Sequence, residues 1–166
     1  MFFWKNKKKG IRIEHIDKEH VYAPITGKIL FLEQVNDVVF SQKMMGDGVA
    51  IEPEDGMLYS PVKGKVSVVF PTGHVIGIEA ENGANIILHV GIDTVELKGR
   101  GFEVQVHQGD MVEPGDALMK IDLPLIRKNY AATTMVVIEN SKDYQMIYPD
   151  RSNVKAGEEL LRLMRK

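Results

Sequence analysis

Short apolar runs bounded by glycine, proline or other turn residues recur along the chain. The runs rich in Val and Ile are KILFLEQ, GVAIEP, GKVSVVF, HVIGIEA, NIILHVGI, GFEVQVHQ and TTMVVIEN. Short strands with turn signals about every 8–12 residues are typical of a β-sandwich or barrel. We therefore predict a mostly β protein. Helical signal is limited to LPLIRKNYA, SKDYQM and GEELLRLMRK, and the last of these is equally compatible with a strand.

Two internal echoes indicate a duplicated β motif. The stretch APITGKIL, from Ala23, is repeated as SPVKGKVS, from Ser60. A second pair joins VHQGDMVEPGDAL, from Val106, with SNVKAGEELL, from Ser152. Each copy alone would leave an apolar face uncovered, so the two copies are expected to fold against each other. Chance similarity of turns is a credible alternative for the second pair and less so for the first.

Two histidines flank a predicted hairpin. Asn82-Gly83 lies midway between His74 and His89, and Asn-Gly between apolar runs predicts a two-residue type I′ turn. With that dipeptide at the tip, His89 lies opposite Ile76, and His74 lies opposite Gly91, two pairs further along the ladder. The two histidines then share a face as diagonal neighbours, roughly 7 to 8 Å apart at Cα. A loop of odd length would instead place them on opposite faces.

Composition narrows the chemistry. The 166 residues suffice for one domain, and a net charge of -2 gives no attraction to nucleic acid. The absence of cysteine excludes disulfides, thiolate nucleophiles and zinc–thiolate sites, and is compatible with a reducing cytosol. No apolar run approaches the roughly 20 residues that span a bilayer. Catalysis is therefore left to histidine, carboxylate, hydroxyl or lysine side chains.

A histidine pair suits phosphoryl transfer. A neutral imidazole, with a pKa near 6.5, can attack phosphorus through its free ring nitrogen, and a second imidazole can donate a hydrogen bond to the phosphoryl oxygens. Thr72 lies two residues before His74, where its hydroxyl could fix a tautomer, and a carbonyl near Gly91 could do the same for His89. The remaining histidines are interpreted as ordinary core or surface residues: His15, His20 and His107.

The motif HVGIDTVELKGRGF, with PVKGKV, PTGH and DVVFSQKMMGDGVAI, closely resembles the enzyme IIA of the glucose class in the bacterial phosphoenolpyruvate:sugar phosphotransferase system. The resemblance extends from about Tyr22 to the C-terminus. It implies an all-β fold, an antiparallel β-sandwich built on a duplicated motif with minor short helices. We predict a single IIA domain over residues 21–166, a monomer, and a cytoplasmic location, the last because the N-terminus is not a secretory signal.

The resemblance also implies a role for each site residue. His89 matches the phosphorylated histidine, which accepts through Nε2 while the carbonyl of Gly91 holds Nδ1. His74 matches the second active-site histidine, which contacts the phosphoryl group, and Thr72 matches the hydroxyl that orients it. The implied donor is the phosphocarrier protein HPr, and the acceptor is a cysteine on the IIB domain of a sugar permease. The implied activity is that of a phosphotransferase in a phosphohistidine relay.

A surface for these partners is expected around the histidines. An exposed apolar patch suits two successive partners, because methionine side chains adapt to different shapes and a modest interface releases each partner quickly. Burial in the core is the alternative for some of these residues, Val39 among them. Acidic residues at the rim would meet a basic partner. The predicted partner-binding residues are Asp37, Val38, Val39, Phe40, Met44, Met45, Phe70, Asp93 and Val95.

The N-terminal segment and the metal content are the remaining features that the sequence addresses. Residues 1–20 form a flexible basic and aromatic segment, beginning MFFWKNKKKG, for which a solubilising tail and a weak contact with a membrane surface are the two interpretations. Regulatory target proteins, known in the family, are a further class of partner. We predict no intrinsic metal or cofactor, with zinc bridging His74 and His89 only at a partner interface.

Two alternative functions compete with the phosphocarrier. A zinc hydrolase on a related duplicated scaffold could use the two histidines and Asp93, although no His-x-His pair supplies the usual third ligand. A lipoyl or biotinyl carrier module could use Lys43, because SQKMMGDG has a lysine beside methionine in a turn-rich context. Under that second alternative the histidine pair would have no role.

Overall fold

Antiparallel strands make up most of the protein, as the sequence predicts. The computed structural model describes residues 10–166. All strand pairs in this range are antiparallel. The strands are β1 (His20–Tyr22), β2 (Gly27–Phe31), β3 (Asp47–Pro53), β4 (Met57–Tyr59), β5 (Gly64–Val69), β6 (Val75–Ala80), β7 (Asn85–Val90), β8 (Phe102–Val104), β9 (Met111–Val112), β10 (Ala117–Ile121), β11 (Thr134–Ile138), β12 (Tyr144–Ile147), β13 (Asn153–Val154) and β14 (Glu159–Arg165).

One large sheet packs against two small ones. The large sheet has eight strands in the order β13-β2-β3-β11-β7-β6-β5-β9, and the small sheets have the orders β1-β14-β12 and β4-β10-β8. One buried cluster contains apolar side chains from all three sheets, such as Ile76, Leu118 and Leu161. A second, smaller cluster lies on the opposite face of the large sheet, under the connection between β2 and β3. This arrangement confirms the predicted antiparallel sandwich.

The first echo marks two equivalent contacts between the halves of the chain. Its copies lead into β2 and β5. The amide of Tyr22 donates to the carbonyl of Pro61 at 2.9 Å, and the amide of Tyr59 donates to the carbonyl of Pro24 at 2.8 Å. Each motif proline therefore accepts a hydrogen bond from a residue just before the other copy. These reciprocal bonds confirm that the two copies fold against each other.

The two copies of the second echo provide the edge strands of the large sheet, β13 and β9. Val154 in β13 pairs with Gly27 in β2, and Val112 in β9 pairs with Gly64 in β5. The two glycines occupy the same position in the first echo. The large sheet therefore consists of two four-stranded halves, which meet where β11 pairs with β7.

Two of the three segments with helical signal are helical in part. LPLIRKNYA forms the short helix α2 (Leu123–Arg127), whose N-cap Asp122 accepts a hydrogen bond from the amide of Leu125 at 3.1 Å. SKDYQM begins as a 3-10 helix at Ser141–Asp143 and then continues as β12. The C-terminal GEELLRLMRK is strand β14, the second of its two interpretations. No helix among residues 10–166 has the length and apolar character needed to cross a membrane.

The predicted register of the hairpin between β6 and β7 is wrong by one residue. Val75, not Ile76, lies opposite His89. The loop contains three residues instead of two, because the amide of Gly83 donates to the carbonyl of Ala80 at 2.9 Å and only the glycine of the Asn-Gly pair has a positive φ, of 90°. This is the pattern of a turn followed by one left-handed residue, which Asn-Gly suits as well as a type I′ turn.

The N-terminal segment is only partly described. Residues 1–9, which carry its Phe and Trp residues and all of its lysines except Lys18, lie outside the described range. In the remainder, the amide of Ile11 donates to the carbonyl of Gly115 at 2.9 Å, and β1 begins at His20. The division of the chain at residue 20 stays a prediction.

Candidate active site

His89 lies near the end of β7, and its tautomer follows from its hydrogen bond. Its Nδ1 is 2.9 Å from the carbonyl oxygen of Gly91. A carbonyl oxygen only accepts, so Nδ1 carries the proton in the neutral ring and Nε2 carries the free lone pair. Gly91 has a φ of 85°, a left-handed conformation that folds the chain back and brings its carbonyl to the ring. The sequence motif therefore leaves Nε2 as the nucleophilic atom.

His74 meets His89 despite the shifted register. Their ring centroids are 5.0 Å apart and the rings are almost perpendicular, at 89°. His74 precedes the first residue of β6, in the bend that follows β5, so the alternation of faces along the strand does not govern its side chain. The amide of Val90 donates to the backbone carbonyl of His74 at 2.8 Å, which fixes the bend beside the end of β7.

Thr72 and two aromatic rings hold His74 in place. Oγ1 of Thr72 lies 2.9 Å from Nδ1 of His74, as the resemblance implies. The rings of Phe70 and Phe102 lie 5.7 Å and 6.4 Å from the imidazole, measured between centroids. The side chain of His74 is almost fully buried. With Nδ1 bonded to Thr72, Nε2 is the nitrogen of His74 left for a ligand.

Both imidazoles are biased toward their neutral forms. The pKa of His89 is lowered from 6.5 to about 4, chiefly by burial and also by the nearby ring of His74. The bond to Gly91 and the carboxylates of Asp37 and Asp93 oppose this shift. Burial also lowers the pKa of His74, against a hydrogen bond to the backbone of Thr72. A neutral ring retains its lone pair, so Nε2 of His89 has the lone pair that a nucleophile requires at physiological pH.

Most of the predicted apolar surface is exposed. The residues Val38, Met44, Met45, Phe70 and Val95 have exposed fractions between 38% and 69%. Val39 is half-buried. Phe40 is buried at 5% exposure, and its ring centroid lies 4.9 Å from that of His89. Phe40 therefore contributes to the floor beside His89 instead of to the exposed patch.

The two predicted rim carboxylates differ in their surroundings. Asp37 is the N-cap of α1 (Val38–Ser41), where its side chain accepts hydrogen bonds from the amides of Val39 at 2.9 Å and Phe40 at 3.4 Å. Asp93 is exposed and has a φ of 62°, which is uncommon for a residue other than glycine. Asp37 thus positions the aromatic ring that packs on His89, in addition to any contact with a partner.

Sequence reasoning missed three residues near the histidines. Phe102 contacts His74, Met135 is the buried strand partner of His89, and Thr94 is fully buried behind Gly91. Phe102 and Thr94 both lie within the motif HVGIDTVELKGRGF, so the motif was a usable signal for them. Met135 lies in TTMVVIEN, whose pairing with β7 depends on long-range topology that no local pattern contains.

Neither alternative function gains support from the geometry. Within the described part of the chain, no three His, Cys, Asp or Glu side chains are grouped to hold a metal ion, as a zinc hydrolase requires. Lys43 follows α1, with its Nζ 3.4 Å from Asp47 and 3.5 Å from Glu33. Burial would lower the pKa of Lys43, but the two carboxylates outweigh it and raise the pKa, which disfavours acylation. Zinc at a partner interface stays a prediction.

Comparison with known proteins identifies the family. The family described as phosphoenolpyruvate-dependent sugar phosphotransferase system, EIIA 1, matches residues 19–144. The chain belongs to this EIIA family. A glucose-specific EIIA component from Staphylococcus epidermidis is 43% identical over 155 residues, which cover 92% of this chain and 93% of that protein. The glucose permease IIA from Mycoplasma capricolum has a similar structure, with a TM-score of 0.79, 35% identity, and coverage of 97% and 98% of the two chains.

Some relatives carry the EIIA sequence within a longer chain. A beta-glucoside-specific EIIBCA component from Halalkalibacterium halodurans is 41% identical over 151 residues, or 90% of this chain. The match covers 24% of that protein, so the chain spans about a quarter of its length. The family membership, the antiparallel fold and the place of the family in sugar phosphotransfer agree with what the sequence motif implies.

Proposed function

We propose that this protein is a phosphocarrier of the sugar phosphotransferase system. His89 accepts a phosphoryl group from the phosphohistidine of HPr and passes it to a cysteine on the IIB domain of a sugar permease. The observation that carries the proposal is the hydrogen bond from Nδ1 of His89 to Gly91, together with the perpendicular ring of His74 at 5.0 Å. One free nucleophilic nitrogen thus faces a second imidazole.

The proposed step exchanges one bond to phosphorus for another. Nε2 of His89 attacks as the N–P bond of the donor phosphohistidine breaks, and the donor imidazole retains the electron pair of that bond. No proton needs to leave His89, because its reactive nitrogen is already unprotonated. His74 donates a hydrogen bond from Nε2 to the phosphoryl oxygens, with Nδ1 facing Thr72 at 2.9 Å. Positioning and charge stabilisation therefore account for most of the catalysis.

The proposed partners follow from the surface and from the relatives. Val38, Phe70 and Val95 are exposed apolar residues of the kind that suits transient docking. The EIIBCA name of the Halalkalibacterium relative combines the A and B components in one chain, which supports a IIB domain as the acceptor. We further propose a cytoplasmic site of action, where HPr and the permease domain would both be accessible. Regulatory targets are a third class of partner.

The deciding experiment measures phosphate on the intact protein. Incubation with phosphoenolpyruvate, enzyme I and HPr should add one acid-labile, base-stable phosphate to the wild type and none to His89→Gln. His107→Gln is the matched control, because His107 is exposed on the surface and should leave the addition unchanged. Lack of phosphate on the wild type, or full addition to His89→Gln, would refute the assignment.

The second histidine should affect the two half reactions unequally. His74→Gln is expected to retain acceptance from HPr better than delivery to a IIB domain, because attack requires only His89 whereas delivery also requires stabilisation of the bound phosphate. Rapid-quench measurement of each half reaction tests this division. Equal loss in both would contradict it.

A further inference from the structure

The loop after β7 contains a buried hydroxyl that the proposed reaction does not use. Thr94 has no exposed surface, and its Oγ1 donates a hydrogen bond to the carbonyl oxygen of Val90, four residues earlier. The bond closes a short loop that contains Gly91, the hydrogen-bond partner of His89. Thr94 therefore lies next to Gly91, whose carbonyl sets the tautomer of His89.

The methyl group of Thr94 packs directly against Gly91. A Cβ built on Gly91 would lie 2.2 Å from Cγ2 of Thr94, so the methyl group occupies the space that any larger side chain at position 91 would need. Its hydroxyl holds the peptide on one side of Gly91, and its methyl group covers the α-carbon. Both parts of the threonine side chain thus restrict the backbone at Gly91.

The peptide that carries the Gly91 carbonyl is also held from the opposite side. The amide of Ile92 donates to the carbonyl of Ala131 at 3.1 Å, and the amide of Gly91 donates to the carbonyl of Thr133 at 2.9 Å. In a planar trans peptide the N–H and C=O point in opposite directions. The bond from Ile92 to Ala131 therefore directs the Gly91 carbonyl away from Ala131 and toward His89.

The loop needs such restraints because its backbone is unfavourable. Asp93 has a positive φ of 62°, two residues after Gly91, whose φ of 85° is without cost for a glycine. An aspartate in the left-handed region is strained relative to the usual conformations, so the isolated loop would relax to other states. Relaxation would move the Gly91 carbonyl away from Nδ1 and free the ring of His89 to adopt either tautomer.

We propose that Thr94 is a positioning residue, which keeps His89 in the tautomer with the proton on Nδ1 by anchoring the Gly91 carbonyl. The role depends on the proposed function only for its catalytic consequence. Loss of the anchor would let a fraction of His89 carry its proton on Nε2, where it blocks attack on phosphorus. The remaining fraction would also be less well aligned, and a small displacement of a reacting atom is costly.

Two substitutions separate the hydroxyl from the methyl group. Thr94→Val keeps the shape and removes the donor, whereas Thr94→Ser keeps the donor and removes the methyl group. Nitrogen-15 NMR of the His89 ring reports the tautomer directly, and phosphate acceptance from HPr reports the consequence. We expect mixed tautomers and an acceptance rate about tenfold lower in Thr94→Val. Thr94→Ser should lie between this variant and the wild type in both measurements.

Ser60→Ala is the matched control. Ser60 is also buried and donates to a backbone carbonyl, that of Val62 at 2.7 Å, at the start of the β5 half of the chain. It should leave the ring spectrum of His89 unchanged. Wild-type spectra and rates in Thr94→Val would overturn the proposal. If Thr94→Val does not fold, wild-type spectra and rates in Thr94→Ser would overturn it instead. A spectral change in Ser60→Ala as large as that in Thr94→Val would also overturn it.

The two measurements distinguish failure of this inference from failure of the proposed function. A wild-type protein that accepts no phosphate refutes the phosphocarrier role, yet its NMR spectrum still reports whether Thr94 controls the tautomer. A protein that accepts phosphate normally in every Thr94 variant refutes the inference alone.

Discussion

Acidification should destabilise the fold through His89 at a pH where ordinary histidines gain a proton. Burial, assisted by the adjacent ring of His74, lowers the pKa of His89 from 6.5 to about 4. Between these values the unfolded chain binds a proton at this position and the native protein does not, so the free energy of unfolding falls as the pH falls. The full difference corresponds to about 3 kcal/mol, present above pH 6.5 and lost by about pH 4.

The same pKa determines how much reactive imidazole is available. At pH 5.5, a histidine with a pKa of about 4 is about 97% neutral, compared with about 9% for a pKa of 6.5. Acceptance of phosphate by His89 should therefore change little between pH 8 and about pH 5. The donor phosphohistidine must be supplied as a purified protein, so that the pH dependence of enzyme I does not enter the measurement.

Urea denaturation at pH 7.5 and 4.5 tests the effect on stability. Relative to His89→Gln, which has no titrating group at this position, the wild type should lose about 2 to 3 kcal/mol between the two values. An NMR titration of the His89 ring gives its pKa independently. A measured pKa near 6.5, or parallel stability profiles for the two proteins, would refute the reasoning that burial keeps this imidazole neutral.

Two further predictions concern the residues around the histidine. Gly91→Ala should lower the free energy of unfolding, measured by urea denaturation, by about 3 kcal/mol or more, because its Cβ would lie 2.2 Å from Thr94. Gly99→Ala is the control: Gly99 has a similar φ of 93° but open space around it, so the cost should be only about 1 kcal/mol. Equal costs would contradict the steric argument. Phe40→Ala should lower stability by about 3–5 kcal/mol and Val38→Ala by less than about 0.5 kcal/mol. Val38→Ala should instead weaken HPr binding in calorimetry, and unchanged affinity would remove Val38 from the docking surface.

The strands and the duplication could be predicted because their signals are local. Glycine, proline or other turn residues end the runs, and the repeated motif predicts that two copies pack together before any pairing is known. The C-terminal strand β14 shows the limit of this reasoning. Its buried residues, Leu160, Leu161 and Leu163, suit one face of a helix as well as a strand. Pairing with β1 and β12 decides between them, and those partners are distant in the sequence.

The histidine pair could be predicted, but not the route by which the rings meet. The Asn82-Gly83 signal correctly predicts a hairpin, yet a two-residue and a three-residue loop satisfy it equally, and the difference reverses the faces of the strands. His74 escapes this reversal only because it lies in the bend before β6. The position of Phe40 against His89 depends on how α1 lies across the sheet, which the apolar pattern of its own segment does not contain.

The asymmetry between the two halves accounts for the location of the site. The two halves align when the pair Gly27–Pro53 is superposed on the pair Gly64–Ala80. In this alignment, Val137 in β11 occupies the position that His89 occupies in β7. Val137 is buried under the long connection over residues 32–46, between β2 and β3. The corresponding connection between β5 and β6 spans only residues 70–74.

This short connection is too small to cover the second half of the sheet, so His89 stays half-buried, and the connection itself ends in His74. The long connection reaches His89 from the other side through Phe40, while Phe70 of the short one contacts His74. The two imidazoles therefore meet where two equivalent but unequal connections come together. The two halves share one scaffold, and the difference in length between these connections leaves one of its two equivalent positions open at the surface.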